Sequence, residues 1–211
     1  MKIIVADKFE ESGLSGLKEN GFEVVYNPDL KEQSLAEAIE NEKPEGLIVR
    51  STRVEAYHLN DSLKLIVRAG SGYNTIATQE AKEKGIQVAN CPGKNANAVA
   101  ELTIGLILSL DRRIPDNVIQ FRQGKWNKKE FSKAKGIKGK TLGVVGFGTI
   151  GQIVSDVAKA FGMEVIVFSR HLTESDAGNL GLRKVKDLNE LARQSDIVSV
   201  HTALDNETKN L

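Results

Sequence analysis

The sequence is poor in cysteine, in aromatic residues and in net charge. Its single cysteine, Cys91, excludes an internal disulfide and a cysteine-rich zinc site, and it favours a cytoplasmic location. The 29 basic and 28 acidic residues give a formal charge of +1, which provides no overall field to attract nucleic acid or an anionic membrane. One basic run, residues 122–140, includes Trp126 and Phe131, but such a run is more typical of a solvated face than of a nucleic-acid site. We therefore expect no nucleic-acid partner, no membrane association and no metal ion.

Long apolar runs are also absent. The longest, residues 98–110, is interrupted by Glu101 and is shorter than the roughly 20 residues that a membrane span requires. The run is apolar nearly all round, so it predicts a helix that is covered on every side. We expect this helix to hold two copies of the chain together as a homodimer. At the start of the chain, Asp7 comes too soon for a signal peptide, and residues 2–6 predict a first strand.

Short apolar runs alternate with amphipathic segments through the first ninety residues. The predicted strands are residues 2–6, 22–26, 46–50, 64–69 and 87–89. Strands that alternate with helices predict a parallel sheet and therefore the α/β class. We expect a flavodoxin-like substrate domain in residues 1–90. Residues 91–211 are expected to form a partial doubly wound Rossmann domain, a dinucleotide-binding fold that here lacks its later strands.

A glycine-rich motif dominates the second half of the sequence. An apolar strand is followed at once by Gly146-x-Gly148-x-x-Gly151 and then by apolar residues at helical spacing. The first glycine permits a tight turn, the second lets the backbone approach a pyrophosphate, and the third lets the helix pack close to the strand. The helix N-terminus at Thr149 and Ile150 adds N–H groups and a partial positive charge. The motif predicts an NAD(P)-binding site that serves a dehydrogenase.

The end of the next predicted strand bears on the choice of cofactor. Sites that prefer NAD carry an acid there, which binds the ribose 2′-hydroxyl, but this strand is followed by Ser169-Arg170. A serine can donate to a 2′-phosphate and an arginine can neutralise it, so NADP(H) is one alternative. The other is that Arg170 stacks on the adenine while NAD(H) binds. The sequence leaves both open.

A later apolar strand ends in His201 and Thr202. These polar side chains are expected at the carboxyl edge of the sheet, where open α/β sheets bind ligands. We expect both to contact the cofactor. A lone histidine at a strand end is more often a hydrogen-bonded structural residue than a proton donor, so we assign His201 no catalytic role.

Several segments together resemble the D-2-hydroxyacid dehydrogenase family, over nearly the whole chain. The matching segments are Val49-Arg50-Ser51-Thr52, residues 68–74, Asn90-Cys91-Pro92, residues 98–110, Gly124-Lys125-Trp126, the glycine motif and residues 199–202. The agreement extends to the order and spacing of these segments, which similar composition alone does not produce. The resemblance implies an oxidoreductase that moves a hydride between a nicotinamide cofactor and a small D-2-hydroxy acid or 2-keto acid.

The resemblance also implies a site for that anionic acid. The family's substrate loops correspond to Arg50-Ser51 and to residues 69–72, where backbone N–H groups meet the substrate carboxylate and where Ser71 also lies beside the cofactor. In members that act on 3-phosphoglycerate, arginines that match Arg50, Arg68 and Arg112 meet the phosphate, so this is the first substrate to test. Asn95 matches a substrate-proximal asparagine, although a helix N-cap would also explain it. The implied substrate residues are Arg50, Ser51, Arg68, Ser71, Gly72, Asn95 and Arg112.

The chain departs from the family pattern at the catalytic residues. The family uses an arginine, a glutamate and a histidine, and no matching motif occurs in these 211 residues. We therefore assign no catalytic residue and expect a fragment of a longer enzyme that is inactive alone. An apolar strand left at a sheet edge, residues 196–200, points the same way. The alternatives are a dinucleotide-sensing binding module, like the corepressors that the family includes, and a structural dimer whose cofactor loop is vestigial.

Overall fold

A computed structural model describes residues 1–204 and 207–211. In this structure the chain forms two compact units, Met1–Lys94 and Asn95–Leu211. Each unit contains a parallel β-sheet whose strands are connected through helices. The predicted α/β class is therefore confirmed.

The first unit contains a parallel sheet in the order β2-β1-β3-β4-β5. The strands are β1 (Lys2–Val5), β2 (Glu23–Tyr26), β3 (Gly46–Val49), β4 (Leu65–Arg68) and β5 (Gln87–Asn90). The helices are α1 (Glu11–Glu19), α2 (Glu32–Glu42) and α3 (Thr78–Glu83), with a 3₁₀ turn at Ala56–His58. This is the flavodoxin-like strand order, as expected, and its ligand-binding position is the carboxyl edge where β1 and β3 meet.

The central strands β1 and β3 of the first unit are buried on both faces, because helices cover both sides of the sheet. Ile4 and Leu47 pack with Leu35 of α2 on one face. Val5 packs with Leu14 of α1 on the other face. Alternate residues of β1 thus belong to two cores. This packing on both faces fixes the position of the strand end, close to Asp7.

The second unit contains a parallel sheet in the order β8-β7-β6-β9. The strands are β6 (Thr141–Val145), β7 (Glu164–Phe168), β8 (Arg183–Lys184) and β9 (Ile197–Val200). The helices are α4 (Ala96–Arg112), α5 (Ile114–Arg122), α6 (Lys128–Phe131), α7 (Thr149–Ala160), α8 (Glu174–Asn179) and α9 (Leu188–Gln194). The strand order reverses between β6 and β9, and this reversal is where Rossmann sheets bind dinucleotides.

Helix α4 is not covered on every side. Ala100 and Ile104 are buried in the core that α4 shares with α7, but Leu102, Leu106 and Leu110 are 63%, 56% and 77% exposed. The expectation of full burial is therefore wrong for a single chain, because one neighbouring helix covers only one stripe of α4. No helix in the described part of the chain is long and apolar enough to cross a membrane.

Candidate functional site

The loop between β6 and α7 requires glycine at two positions. Gly146 has a φ of +91°, which other residues rarely adopt, and a Cβ there would lie 2.7 Å from the carbonyl oxygen of His201. Gly151 lies in the first turn of α7, and a Cβ there would overlap the carbonyl oxygen of Gly146. The close approach of β9 and α7 to this loop therefore depends on both glycines.

Gly148 is different, because the fold does not require a glycine there. Its φ of −79° suits any residue, and a Cβ on Gly148 would meet no atom of the described residues within 4 Å. This open space adjoins the N-terminus of α7, whose N-cap is Gly148 and which no described side chain caps. Exposed N–H groups at a helix N-terminus attract anions. A backbone cradle that a side chain would fill fits the pyrophosphate of a dinucleotide.

A cavity of about 510 Å³ opens at the carboxyl edge of this sheet. Its lining includes the predicted cofactor residues Gly146, Gly148, Ser169, Arg170, His201 and Thr202, together with Glu207 and Thr208. Thr149, Ile150 and Gly151 form the adjoining first turn of α7. The structure thus brings these predicted residues together, whereas Ser71 belongs to the first unit.

Arg170 has a partner that the sequence did not predict. Its Nη1 forms an ion pair with the Glu207 carboxylate, and both side chains line the cavity. Ser169 lies next to this pair, and its hydroxyl oxygen accepts a hydrogen bond from the His171 N–H at 3.4 Å. The cavity therefore contains an acid, although that acid does not come from the end of β7.

His201 is half-buried at the end of β9. Its ring atom Nε2 lies 2.8 Å from the Ser199 hydroxyl oxygen. The backbone N–H of His201 donates to the Val145 carbonyl at 2.7 Å. Burial lowers the pKa of His201 below its ordinary value of 6.5, because the charged ring would be poorly solvated. The ring is therefore neutral at pH 7, and it can contact a cofactor by hydrogen bonding but not through a charge.

In the first unit, Asp7 fixes the loop that follows β3. Its Oδ2 accepts hydrogen bonds from the backbone N–H groups of Arg50, Ser51 and Thr52 at 2.7, 3.1 and 3.0 Å. Its Oδ1 accepts one from the Ser51 hydroxyl at 2.8 Å. Partial burial acts to raise the pKa of Asp7, but these hydrogen bonds outweigh it and hold the pKa below the ordinary 3.8. Asp7 is thus a carboxylate at neutral pH.

These contacts change the role implied for the loop after β3. The N–H groups of Arg50 and Ser51 already donate to Asp7, as does the Ser51 hydroxyl, so they are not available to a substrate carboxylate. The exposed side chain of Arg50 is available. Of these two predicted residues, Arg50 therefore offers an anion its guanidinium and not its backbone N–H.

The loop after β4 is held at the same edge of the sheet. The Ser71 hydroxyl donates to the Cys91 carbonyl at 3.4 Å, and the Asn90 amide donates to the Ser71 carbonyl at 2.6 Å. The Arg68 guanidinium lies against Gly70, where a Cβ would overlap it. The buried Nε of Arg68 has no hydrogen-bond partner among the described residues. A buried cationic donor without a partner is energetically unfavourable, and a bound anion would supply one.

Two predicted substrate residues lie far apart within the second unit. Asn95 is the N-cap of α4, although its side chain does not cap the helix, and Arg112 is the last residue of α4. The 17 residues of α4 separate them by about 25 Å at the helical rise of about 1.5 Å per residue. One small acid cannot contact both within a subunit.

A larger cavity, of about 890 Å³, lies at the carboxyl ends of β1, β2 and β3. Among the residues that the structure describes, Ser51 is the only predicted site residue in the lining of this cavity. Its wall includes the buried His58, whose Nδ1 accepts from the Glu55 N–H and whose Nε2 lies 2.9 Å from the Glu32 carbonyl. Both ring nitrogens are thus engaged, and His58 serves the structure of this wall.

Sequence reasoning missed two residues of these sites, Asp7 and Glu207. The signal for Asp7 was present, because it is the first polar residue after an apolar strand and so lies at the carboxyl edge. Glu207 carries no local signal, because its contact with Arg170 spans 37 residues.

The glycine loop, the helix that follows it and the strand reversal beside it define the second unit as a dinucleotide-binding unit of the dehydrogenase class. Residues 104–211 match the sequence model of the D-isomer specific 2-hydroxyacid dehydrogenase, NAD binding domain. The chain belongs to the D-isomer specific 2-hydroxyacid dehydrogenase family, as its motifs predicted, and its second unit contains the NAD-binding domain.

Two curated relatives and one solved structure illustrate the similarity. D-3-phosphoglycerate dehydrogenase from Methanocaldococcus jannaschii is 39% identical over 216 residues, which cover 100% of this chain and 40% of that protein. Hydroxypyruvate reductase from Thermotoga maritima is 44% identical over 168 residues, which cover 78% of this chain and 53% of that protein. The NAD⁺-bound 3-phosphoglycerate dehydrogenase of Entamoeba histolytica is 31% identical, with a TM-score of 0.79 over 99% of this chain and 64% of that one. This chain spans about two fifths of the length of its phosphoglycerate dehydrogenase relatives.

Proposed function

We propose that this chain supplies a substrate-side unit and an NAD-binding unit to an oxidoreductase that moves a hydride between a nicotinamide cofactor and a D-2-hydroxy acid. The observation that carries this proposal is the open space beside Gly148 at the N-terminus of α7. The fold does not need a glycine there, whereas a bound pyrophosphate does. The similarity to phosphoglycerate dehydrogenases supports 3-phosphoglycerate as the first substrate to test.

In this proposal the backbone binds the pyrophosphate of the cofactor, and side chains contact the remainder. The loop from Gly146 to Gly151, with the N–H groups of Thr149 and Ile150, would hold the pyrophosphate through a preformed helix N-terminus. Ser169, Arg170, His201 and Thr202 would contact the remainder of the cofactor from the ends of β7 and β9. When bound, the cofactor supplies the nicotinamide ring that exchanges the hydride.

The substrate contacts in this proposal are arginine side chains that the backbone holds in place. Asp7 fixes the loop that carries Arg50, and the strand pairing of β3 with β4 places Arg68 beside that loop. A guanidinium binds carboxylate or phosphate through its planar fork. Ser71 and Gly72 of the first unit remain predicted substrate contacts, and Asn95 of the second unit remains a separate prediction. We expect this chemistry in the cytoplasm, which the single cysteine favours.

We further expect these 211 residues to bind the dinucleotide without turning over a substrate, since they contain no match to the family's catalytic arginine, glutamate and histidine. Titration calorimetry with NADH, alongside nicotinamide absorbance with 3-phosphoglycerate and a panel of 2-keto acids, tests both parts. If the chain binds neither NADH nor NADPH, the proposed function is wrong. Turnover by the chain alone would overturn the expectation of inactivity. A longer protein that contains this chain and binds NADH and a peptide without turnover would favour the dinucleotide-sensing alternative.

We also propose that two copies of the chain associate through α4. Its leucines at positions 102, 106 and 110 form an exposed stripe opposite the face that packs on α7, and an exposed apolar stripe of this kind is typical of a protein–protein contact. Replacement of Leu106 with glutamate is expected to convert the dimer to monomer, because it would bury an unpaired charge at the contact. Light scattering coupled to size exclusion measures the mass.

The matched control for this prediction is Leu180→Glu. Leu180 is 47% exposed at the end of α8, outside the proposed contact. This variant is expected to keep the mass of the parent chain. A monomeric parent chain at micromolar concentration would contradict the proposal.

A further inference from the structure

The pair of Arg170 and Glu207 bears on which dinucleotide the second unit accepts. NAD-preferring Rossmann sites carry an acid at the end of the second strand, and its carboxylate binds the ribose 2′-hydroxyl. Here β7 ends at Phe168 and is followed by Ser169 and Arg170, so this position has no acid. By that rule alone, the site would suit a 2′-phosphate.

Another segment of the chain supplies a carboxylate to the part of the cavity that adjoins the end of β7. Glu207 pairs with the Arg170 guanidinium, and both side chains line the cavity beside the glycine loop. The segment that carries Glu207 is tied back to the end of β9, because the Thr208 hydroxyl donates to the Ala203 carbonyl at 2.5 Å. The acid therefore reaches the β7 side of the cavity from the β9 side.

The charges of this pair distinguish the two ligands. The side chains are 54% and 73% exposed, so the pair contributes little to folding. A 2′-phosphate would bring about two negative charges beside the Glu207 carboxylate and would compete with it for Arg170. A 2′-hydroxyl carries no charge and can donate a hydrogen bond to the carboxylate. Like charges placed together reduce the affinity for the wrong ligand.

We propose that Glu207 is a specificity-determining residue, which takes the place of the missing strand-end acid and favours a dinucleotide with a free ribose 2′-hydroxyl over one with a 2′-phosphate. This inference rests on the proposed function, because it requires that the cavity bind a dinucleotide. Arg170 then acts as the partner that holds the carboxylate in the cavity, and it does not serve as a phosphate ligand while Glu207 is charged.

The experiment compares the dissociation constants of NADH and NADPH by titration calorimetry for the parent chain and for Glu207→Gln. The parent chain is expected to bind NADH more tightly. Glu207→Gln is expected to shift the ratio of the two affinities toward NADPH by about fivefold or more at low salt, because it removes the repulsion and frees Arg170. The shift should shrink at high ionic strength, since these side chains are exposed to solvent.

Two further variants sharpen the comparison. Glu164→Gln neutralises an exposed acid at the amino end of β7, away from the cavity, and is expected to leave the affinity ratio unchanged. Adding Arg170→Ala to Glu207→Gln is expected to remove most of the gain for NADPH. An affinity ratio that Glu207→Gln changes by less than about twofold would overturn this inference while the proposed function stands. Binding of neither dinucleotide by any variant would overturn both.

Discussion

Replacement of Gly148 with alanine is expected to weaken NADH binding by at least about tenfold and to leave the unfolding temperature of the second unit unchanged. The added methyl group meets no described atom of the folded chain, so it does not disturb the fold. It would occupy the space through which the backbone approaches the pyrophosphate. The loss of one charge-assisted hydrogen bond, worth about 1.5 kcal/mol, is enough for a tenfold change.

At the neighbouring Gly151 the expected effect is on the stability of the second unit and not directly on NADH affinity. Alanine there would gain about 1 kcal/mol of helix propensity, but its methyl group would overlap the Gly146 carbonyl oxygen. Because overpacking of this kind costs about 1–3 kcal/mol, Gly151→Ala is expected to lower the stability of the second unit. Calorimetry of unfolding and titration with NADH separate the two effects.

The control for both variants is Gly178→Ala. Gly178 lies in α8, and its Cβ would meet no described atom within 4 Å. This variant should keep both NADH affinity and stability, with a small gain in stability from helix propensity. If Gly148→Ala binds NADH as tightly as Gly178→Ala does, the pyrophosphate does not lie against Gly148.

Asp7→Ala is expected to lower the stability of the first unit by about 2–4 kcal/mol. The variant removes four hydrogen bonds to the loop after β3, three of them from backbone N–H groups. The figure is below the sum for four buried bonds, because this loop is partly exposed and water can replace some of them. Urea denaturation measures the stability, and hydrogen exchange should show faster exchange at Arg50, Ser51 and Thr52.

The control here is Asp61→Ala, an exposed acid in a turn of the same unit. It is expected to change stability by less than about 0.5 kcal/mol. Equal stability of the Asp7 and Asp61 variants would show that the loop is held by other contacts.

The contribution of Asp7 should also depend on pH. Its folded pKa lies below the ordinary value of 3.8 because of the hydrogen bonds that it accepts. The stabilisation is therefore fully present above 3.8 and is lost as the pH falls through the lower folded value. The stability difference between the parent chain and Asp7→Asn should be constant near neutral pH and shrink in acid. A difference that grows in acid would contradict this assignment.

The sequence predicted the parts of the fold that depend on local patterns. Every predicted strand of the first unit lies within two residues of its observed ends. A parallel sheet buries both faces of its central strands, which marks β1 and β3 as apolar runs. Helix α4 shows the limit of this reasoning. Its composition indicates that most of its surface is apolar, but which side a neighbour covers depends on tertiary contacts such as that between Ile104 and the α7 core.

The candidate cofactor site was more predictable than the substrate site. The glycine motif is a continuous segment, so its spacing alone predicts the turn at Gly146 and the helix contact at Gly151. The contacts of Asp7 and Glu207 join positions 43 and 37 residues away in the sequence. No local periodicity encodes such pairs. They are the contacts that change the roles predicted for Arg50 and Arg170.

Trp126 is the only tryptophan in the sequence, and it is 78% exposed with its ring edge-on to Phe121 of α5 at 6.2 Å. The three tyrosines, at positions 26, 57 and 73, all belong to the first unit. The two units therefore carry separate optical signals. Tryptophan emission therefore comes from the second unit alone, and its quenching by iodide reports whether a second molecule covers the surface beside α5, without any added label.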